Sequence, residues 1–196
     1  MTTPLTTRAR DSANGSGPAT LTRLRGLAVR APAGRIAAAA LTAAVLDAGF
    51  ALVTYVAIAG RYNFETLLQY IASGLLGHDA YRAGWAGVGT AALGLATHLA
   101  LAGAFATAFA LTAAPRLRSR AAATAAGIAY GAAVWVLMAN AVLPALGVAH
   151  EPIGGRYWWA FLTGHALLVG LPISLLTTRA GDDDRLRRHR LHPPVW

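Results

Sequence analysis

The chain has 196 residues, 56% of them hydrophobic and only 13% charged, with a formal net charge of +9. It holds no cysteine, which excludes disulfides, thiolate nucleophiles, zinc-thiolate centres and iron-sulfur clusters. All 17 basic residues are arginine and they flank apolar runs instead of interleaving with aromatics, so the charge reads as membrane topology and gives no nucleic-acid footprint.

Residues 1–34 are rich in Ser, Thr, Gly, Pro and Arg without sustained apolar periodicity, and read as a disordered cytoplasmic tail. A spanning helix needs roughly 20 apolar residues to cross roughly 30 Å of hydrocarbon. Four segments meet that requirement: 36–60, 85–114, 121–147 and 157–178. Together they make residues 35–178 an all-α, integral membrane four-helix bundle, and residues 179–196 a second cytoplasmic tail. Alanine is only weakly apolar, so a soluble alanine-rich bundle is the alternative. Within the first connecting loop, Phe64, Leu67, Leu68, Ile71 and Leu75 recur at helical spacing and predict an extra amphipathic helix, lying on lipid or capping the bundle.

Arginine placement gives the orientation. Fourteen arginines fall in the two tails and the loop "PRLRSR", whereas the other two loops hold only Arg61, Arg82 and Arg156. By the positive-inside bias, both termini are cytoplasmic. Tyr55, Tyr62, Tyr81, Trp85, Tyr157, Trp158 and Trp159 fall near the opposite ends, where amphipathic rings favour the headgroup layer. Arginine without lysine, together with abundant alanine, marks the codon usage of a GC-rich, bacterial genome, and hence a bacterial inner membrane.

Small residues let helices approach closely in lipid. Gly127 and Gly131 form a GxxxG pair, and Gly87, Ala91 and Gly94 form a face leading to His98; such faces serve packing within the bundle or a homo-oligomer. Pro144 and Pro172 release the carbonyls of Asn140 and Leu168 and predict bends.

Three ionisable residues interrupt the spans. At about 1.5 Å per residue, Asp47, His98 and His165 lie roughly 18, 24 and 21 Å from the cytoplasmic ends of their helices, one common layer, with Asn140 roughly 30 Å deep. A mid-bilayer carboxylate costs at least about 2.5 kcal/mol, so Asp47 must be protonated, paired or facing a watery cavity. The leading expectation is a non-enzymatic protein whose Asp47, His98, His165 and Asn140 form a polar cluster that fixes helix register. The alternatives are a proton or small-ion relay through the same residues and a haem b held by His98 and His165 as axial ligands on diagonal helices. The His78–Asp79 and His150–Glu151 pairs read as solvated loop polarity, with no H-E-x-x-H helix and no metal site. No Walker loop, GxGxxG fingerprint or GxSxG elbow is present, so no catalytic residue is assigned. The lipid bilayer is the one partner that the composition requires.

At "LQYIASGLLG", "YGAAVWVLMANAVLP" and "GHALLVGLPISLL" the chain resembles a group of uncharacterised four-helix bacterial inner-membrane proteins. The resemblance spans residues 36–180 and implies that His98, Gly164 and His165 are recurrent features. It implies a fold and carries no activity.

Overall fold

The computed structural model describes Ala31 and residues 33–178; the two predicted tails otherwise lie outside the described residues. Among the described residues there is no strand. Five helices follow one another: α1 (Ala33–Ile58), α2 (Phe64–Leu76), α3 (Gly84–Arg116), α4 (Arg120–Ala145) and α5 (Arg156–Thr177). All but α2 are long and apolar enough to cross a membrane, with mean hydropathies of 2.0, 1.6, 1.7 and 1.7. Their outward faces expose Val45, Ile58, Val88, Leu111 and Leu137. A soluble helix turns a polar face outward, so these faces are those of a multi-pass membrane protein. The boundaries fall within three residues of those expected from the apolar runs.

Local chemistry sets the ends. Asn63 and Ser119 cap α2 and α4, their side chains accepting from the backbone N–H of Thr66 at 2.8 Å and Ala122 at 3.1 Å, which satisfies donors that a first turn leaves unpaired. Gly77, at φ +60°, closes α2 in a conformation that side chains disfavour. Arg35 at the start of α1 donates to the carbonyls of Leu176 and Thr178, both at 3.0 Å, so the first and last helices are tied at one end of the bundle.

α1 packs against α3 and α5, and α4 runs along α5. The α4–α5 seam is set by glycine. A Cβ at Gly131 would land on the His165 carbonyl, and one at Gly127 would come within 2.8 Å of the Gly170 carbonyl. The reason lies in Pro172, which cannot donate to the carbonyl four residues earlier. The turn before it, His165–Gly170, is wound as a π-helix, and its widened backbone fills the Gly127/Gly131 notch. Met138–Val142 is widened in the same way before Pro144. A third π-helical stretch, Leu52–Ile58 in α1, has no proline, and nothing in the structure explains it. Ser174, fully buried, donates to the Ala123 carbonyl at 2.6 Å and locks the same seam.

The second small-residue face has a different partner from the one a bundle of spans would give it. Gly87 and Gly94 meet α2: a Cβ at Gly94 would strike the Leu68 carbonyl, and one at Gly87 would strike Glu65 and the Arg82 carbonyl. The predicted amphipathic helix therefore caps the bundle by packing on α3, with Leu67, Gln69, Ala72 and Ser73 buried. Both faces considered for a homo-oligomer are used inside the chain. α3 and α4 are joined through Tyr130, whose hydroxyl donates to the Phe105 carbonyl at 2.9 Å and whose ring meets Phe109 edge-on at 5.0 Å.

The glycine notch predicts a sharp position dependence. Gly131→Ala places a methyl against backbone that cannot yield and should destabilise the protein by about 1–3 kcal/mol, the cost of overpacking. Gly103→Ala, on α3, meets open space and should be neutral or stabilising. Thermal unfolding of the two variants in detergent tests this, and equal midpoints would remove the notch from the account.

Candidate functional site: a cavity with a polar layer

Asp47 sits midway along α1 and His165 begins the widened turn of α5. Their Oδ1 and Nδ1 atoms lie 3.6 Å apart, with side chains only 18% and 13% exposed. His165 Nδ1 is also 3.0 Å from the Phe161 carbonyl. A carbonyl only accepts, so this nitrogen carries the hydrogen and gives it to Phe161, and the Asp47 carboxylate stands beside it beyond hydrogen-bond distance. His98 Nε2 lies 3.0 Å from the Ala44 carbonyl and donates to it, which pins α3 to α1 one turn from Asp47. The depth arithmetic on the sequence thus brings Asp47, His98 and His165 to one layer. Asn140 stands apart from them, its Oδ1 accepting from Trp158 Nε1 at 3.3 Å.

Around this layer the helices leave a partly open cavity of about 320 Å³. Asp47, His98, His165 and Trp135 line it at mid-depth, and the lining continues past them to Ala43, Ala102, Phe105 and Val169; its walls are chiefly Leu, Val, Ala and Phe from all five helices; Tyr70 and Glu151 stand toward the connecting loops. Beyond Ala43 and Val169, which belong to both, Ala39, Ala106, Phe109 and Ile173 pack into a core that lines no part of the cavity. The cavity is therefore blocked on the side where Arg35 ties the bundle.

One wall is an aromatic column. Tyr62 meets Tyr55 edge-on at 5.7 Å, Tyr55 stacks on Phe161 at 4.7 Å, Phe161 stacks on Trp135 at 5.2 Å, and Trp135 leans on His165 at 4.9 Å. Such pairs contribute about 0.5–1.5 kcal/mol each beyond simple burial. Gly164 leaves room for Phe50, which meets Phe161 edge-on at 5.1 Å. Tyr55, placed by sequence in a headgroup belt, is in fact part of this inner wall. Trp158 likewise turns inward, whereas Trp85 and Trp159 are exposed as expected.

Two polar atoms of the cavity layer are buried without a partner: Asp47 Oδ1 and the indole N–H of Trp135. Trp135 is only 7% exposed. Buried groups of this kind are rare, because each lacks the bond it had in water. Sequence reasoning missed Trp135, since an indole inside an apolar run carries no charge to mark it.

The loop chemistry also differs from expectation. Glu151 is not solvated: its carboxylate is 11% exposed, lines the cavity, and accepts from Arg61 Nη1 at 2.5 Å. The Arg61 guanidinium lies 4.6 Å from the Tyr157 ring centre, which adds a cation–π contact. The Glu151–Arg61 pair joins the α4–α5 loop to the end of α1, a link between chain segments that spacing alone does not reveal. Gln69, also unmarked by the sequence, is buried on α2, and its Nε2 donates to Glu65 and to the carbonyls of Arg82 and Gly87. Among the described residues no three His, Cys, Asp or Glu side chains cluster as a metal site. A haem between His98 and His165 would require His98 Nε2 to give up its bond to Ala44.

Fold and cavity together define a multi-pass helical bundle with a polar layer inside it. The chain matches no protein-family model, no curated protein and no solved structure, so its site is read from its own residues.

Tyr70 offers a pH test. Its hydroxyl donates to the Ala149 carbonyl at 2.6 Å. Burial, then the nearby Tyr62, Tyr81 and Glu151, push its ionisation above the ordinary value of 10.0. Burial and Tyr81 do the same to Tyr62. A phenol whose folded-state pKa is raised contributes stability that is present below the unfolded value and lost as pH climbs above it. The melting midpoint in detergent should thus be insensitive to these groups below pH 10 and decline above it, and Tyr70→Phe should flatten that decline. An unchanged slope in the variant would show that Tyr70 has no part in it.

Proposed function

We propose that the chain is a non-enzymatic protein of the bacterial inner membrane with both termini cytoplasmic, in which Asp47, His98 and His165 brace three helices beside the cavity. The observation that carries this reading is that each contact crosses helices: Asp47 to His165 joins α1 with α5, and His98 to Ala44 joins α3 with α1. In lipid, where apolar side chains gain nothing by leaving the solvent, interhelical polar contacts of this kind help fix register. Support for the orientation comes from the arginines. Ile36 and Leu117 pack on one core cluster, which sets Arg35 and the "PRLRSR" loop at one end, while Arg61 joins the α4–α5 loop through Glu151 at the other.

A proton relay is the second reading, favoured by one feature: the cavity reaches from Glu151 down to Asp47 and His165. Passage to the opposite side would require the core around Phe109 and Ile173 to open. The closed core favours the brace.

The two readings separate experimentally. Asp47→Ala and His165→Ala should each lower stability in detergent, by about 0.5–2 kcal/mol for an interhelical polar contact, and their effects should be less than additive. The wild-type protein in liposomes holding a pH dye should pass no protons. Asp47-dependent flux, or additive losses, would overturn the brace. A periplasm-active reporter fused after Arg190 should be silent, and activity there would reverse the orientation.

A further inference from the structure

The bundle is not closed all the way round. α1 packs on α3 and α5, and α4 runs along α5, but α3 and α4 make scarcely any close backbone approach. What joins them is Tyr130, through Phe105 and Phe109. On the loop side of that contact the gap between α3 and α4 leads into the cavity. Leu75 of α2, Leu95 of α3 and Leu146 at the end of α4 line the cavity and yet are exposed, so they border its mouth. α3 and α4 are both spans, and the mouth between them therefore opens sideways into the bilayer. The apolar wall of the cavity is continuous with the lipid-facing surface, while Asp47 and His165 belong to α1 and α5, across from the mouth. The lining also gives the shape. It runs from Ala43 to Tyr55 on α1 and from Val134 to Leu146 on α4, about 18 Å along each helix at about 1.5 Å per residue. A volume of about 320 Å³ over that length is slender, much narrower than a helix about 10–12 Å across.

We infer that this cavity holds one hydrocarbon chain of a bilayer phospholipid, which enters sideways between α3 and α4 beneath α2 and lies lengthwise past Met138 and Trp135. An empty space of this size would forfeit the dispersion contacts of the atoms that line it, and apolar cavity surface does not draw in water. The solvent at the mouth is lipid, so a lipid chain is the material at hand to fill it. It regains those contacts in the same way that close helix packing does elsewhere in the bundle. A helix from a second copy is too broad to enter. The chain site needs only that the spans lie in lipid, and it holds whether or not Asp47 and His165 brace the helices.

The test uses the full chain in vesicles of dioleoylphosphatidylcholine, or of the same lipid brominated midway along its chains, because chain bromine quenches an indole only at close range. Trp135 is buried and lines the cavity at mid-depth. Its emission is the difference between the wild type and Trp135→Phe, and in brominated vesicles that difference should lose most of its intensity. Gly74 offers a plug for the mouth: it lines the cavity, and a Cβ there meets only Leu146 Cδ1, at 3.5 Å. Gly74→Leu should protect the Trp135 emission, measured against Trp135→Phe in the same background, while circular dichroism shows the helices kept. Ala48→Leu fills the cavity from α1 and should protect it likewise, so one plug decides where the other does not fold. Absence of quenching at Trp135, as in a gap that is dry or covered by a second copy, would overturn the chain site. So would quenching that persists in every folded plug variant, or equal quenching of Trp135 by aqueous iodide, the sign of a water-filled cavity.

Discussion

The structure depends on backbone meeting backbone where α4 crosses α5. In lipid there is no water to expel, so helices associate through dispersion contacts and hydrogen bonds, and both require close approach. Gly127, Gly131 and Gly170 supply that approach, and the widened turn preceding Pro172 is what they receive. Proline, π-helical turn and glycine notch therefore form one device. It also sets the site, because His165 is the first residue of the widened turn. Its carbonyl lies in the notch while its imidazole turns toward Asp47.

From that anchor the molecule divides into a closed half and an open half. Toward Arg35 the interior is filled by alanines around Phe109 and Ile173, small residues that let the helices close to contact. Toward the loops the side chains lengthen and the turns widen, and the space between helices is not filled. The polar residues lie within the open half, a turn or more from where the cavity ends at Phe105 and Val169. There they reach across to neighbouring helices and still border the cavity, so the layer that holds the bundle together also forms part of the cavity wall.

Much of this was legible in the sequence, for stated physical reasons. Span length follows from bilayer thickness, and the four apolar runs gave helices close to their observed limits. The common depth of Asp47, His98 and His165 follows from the rise per residue, and the contacts agree. What depth cannot give is rotation about the helix axis. Asn140 faces Trp158 and not the cluster, while Trp135 and Tyr55 turn inward to line the cavity. In the sequence Glu151 reads as loop polarity because its partner Arg61 lies ninety residues away, and a pairing at that separation depends on the finished bundle.

The cavity itself traces to a choice made by α3. Its small-residue face could have closed against another span, as the α4 glycines do. Instead Gly87 and Gly94 accept the backbone of α2, and Gln69 bonds the two helices together through the Arg82 and Gly87 carbonyls. The surface of α3 nearest α2 is thereby committed to a short helix that crosses only part of the bundle. α3 and α4 are left to meet lower down, through Tyr130, Phe105 and Phe109. Above that contact α2 contributes Leu67, Leu68 and Ile71 as a wall where a closely packed four-helix bundle would have had none. The amphipathic helix is for this reason a structural cause of the cavity, and the glycines that seat it matter to the site although none of them touches Asp47.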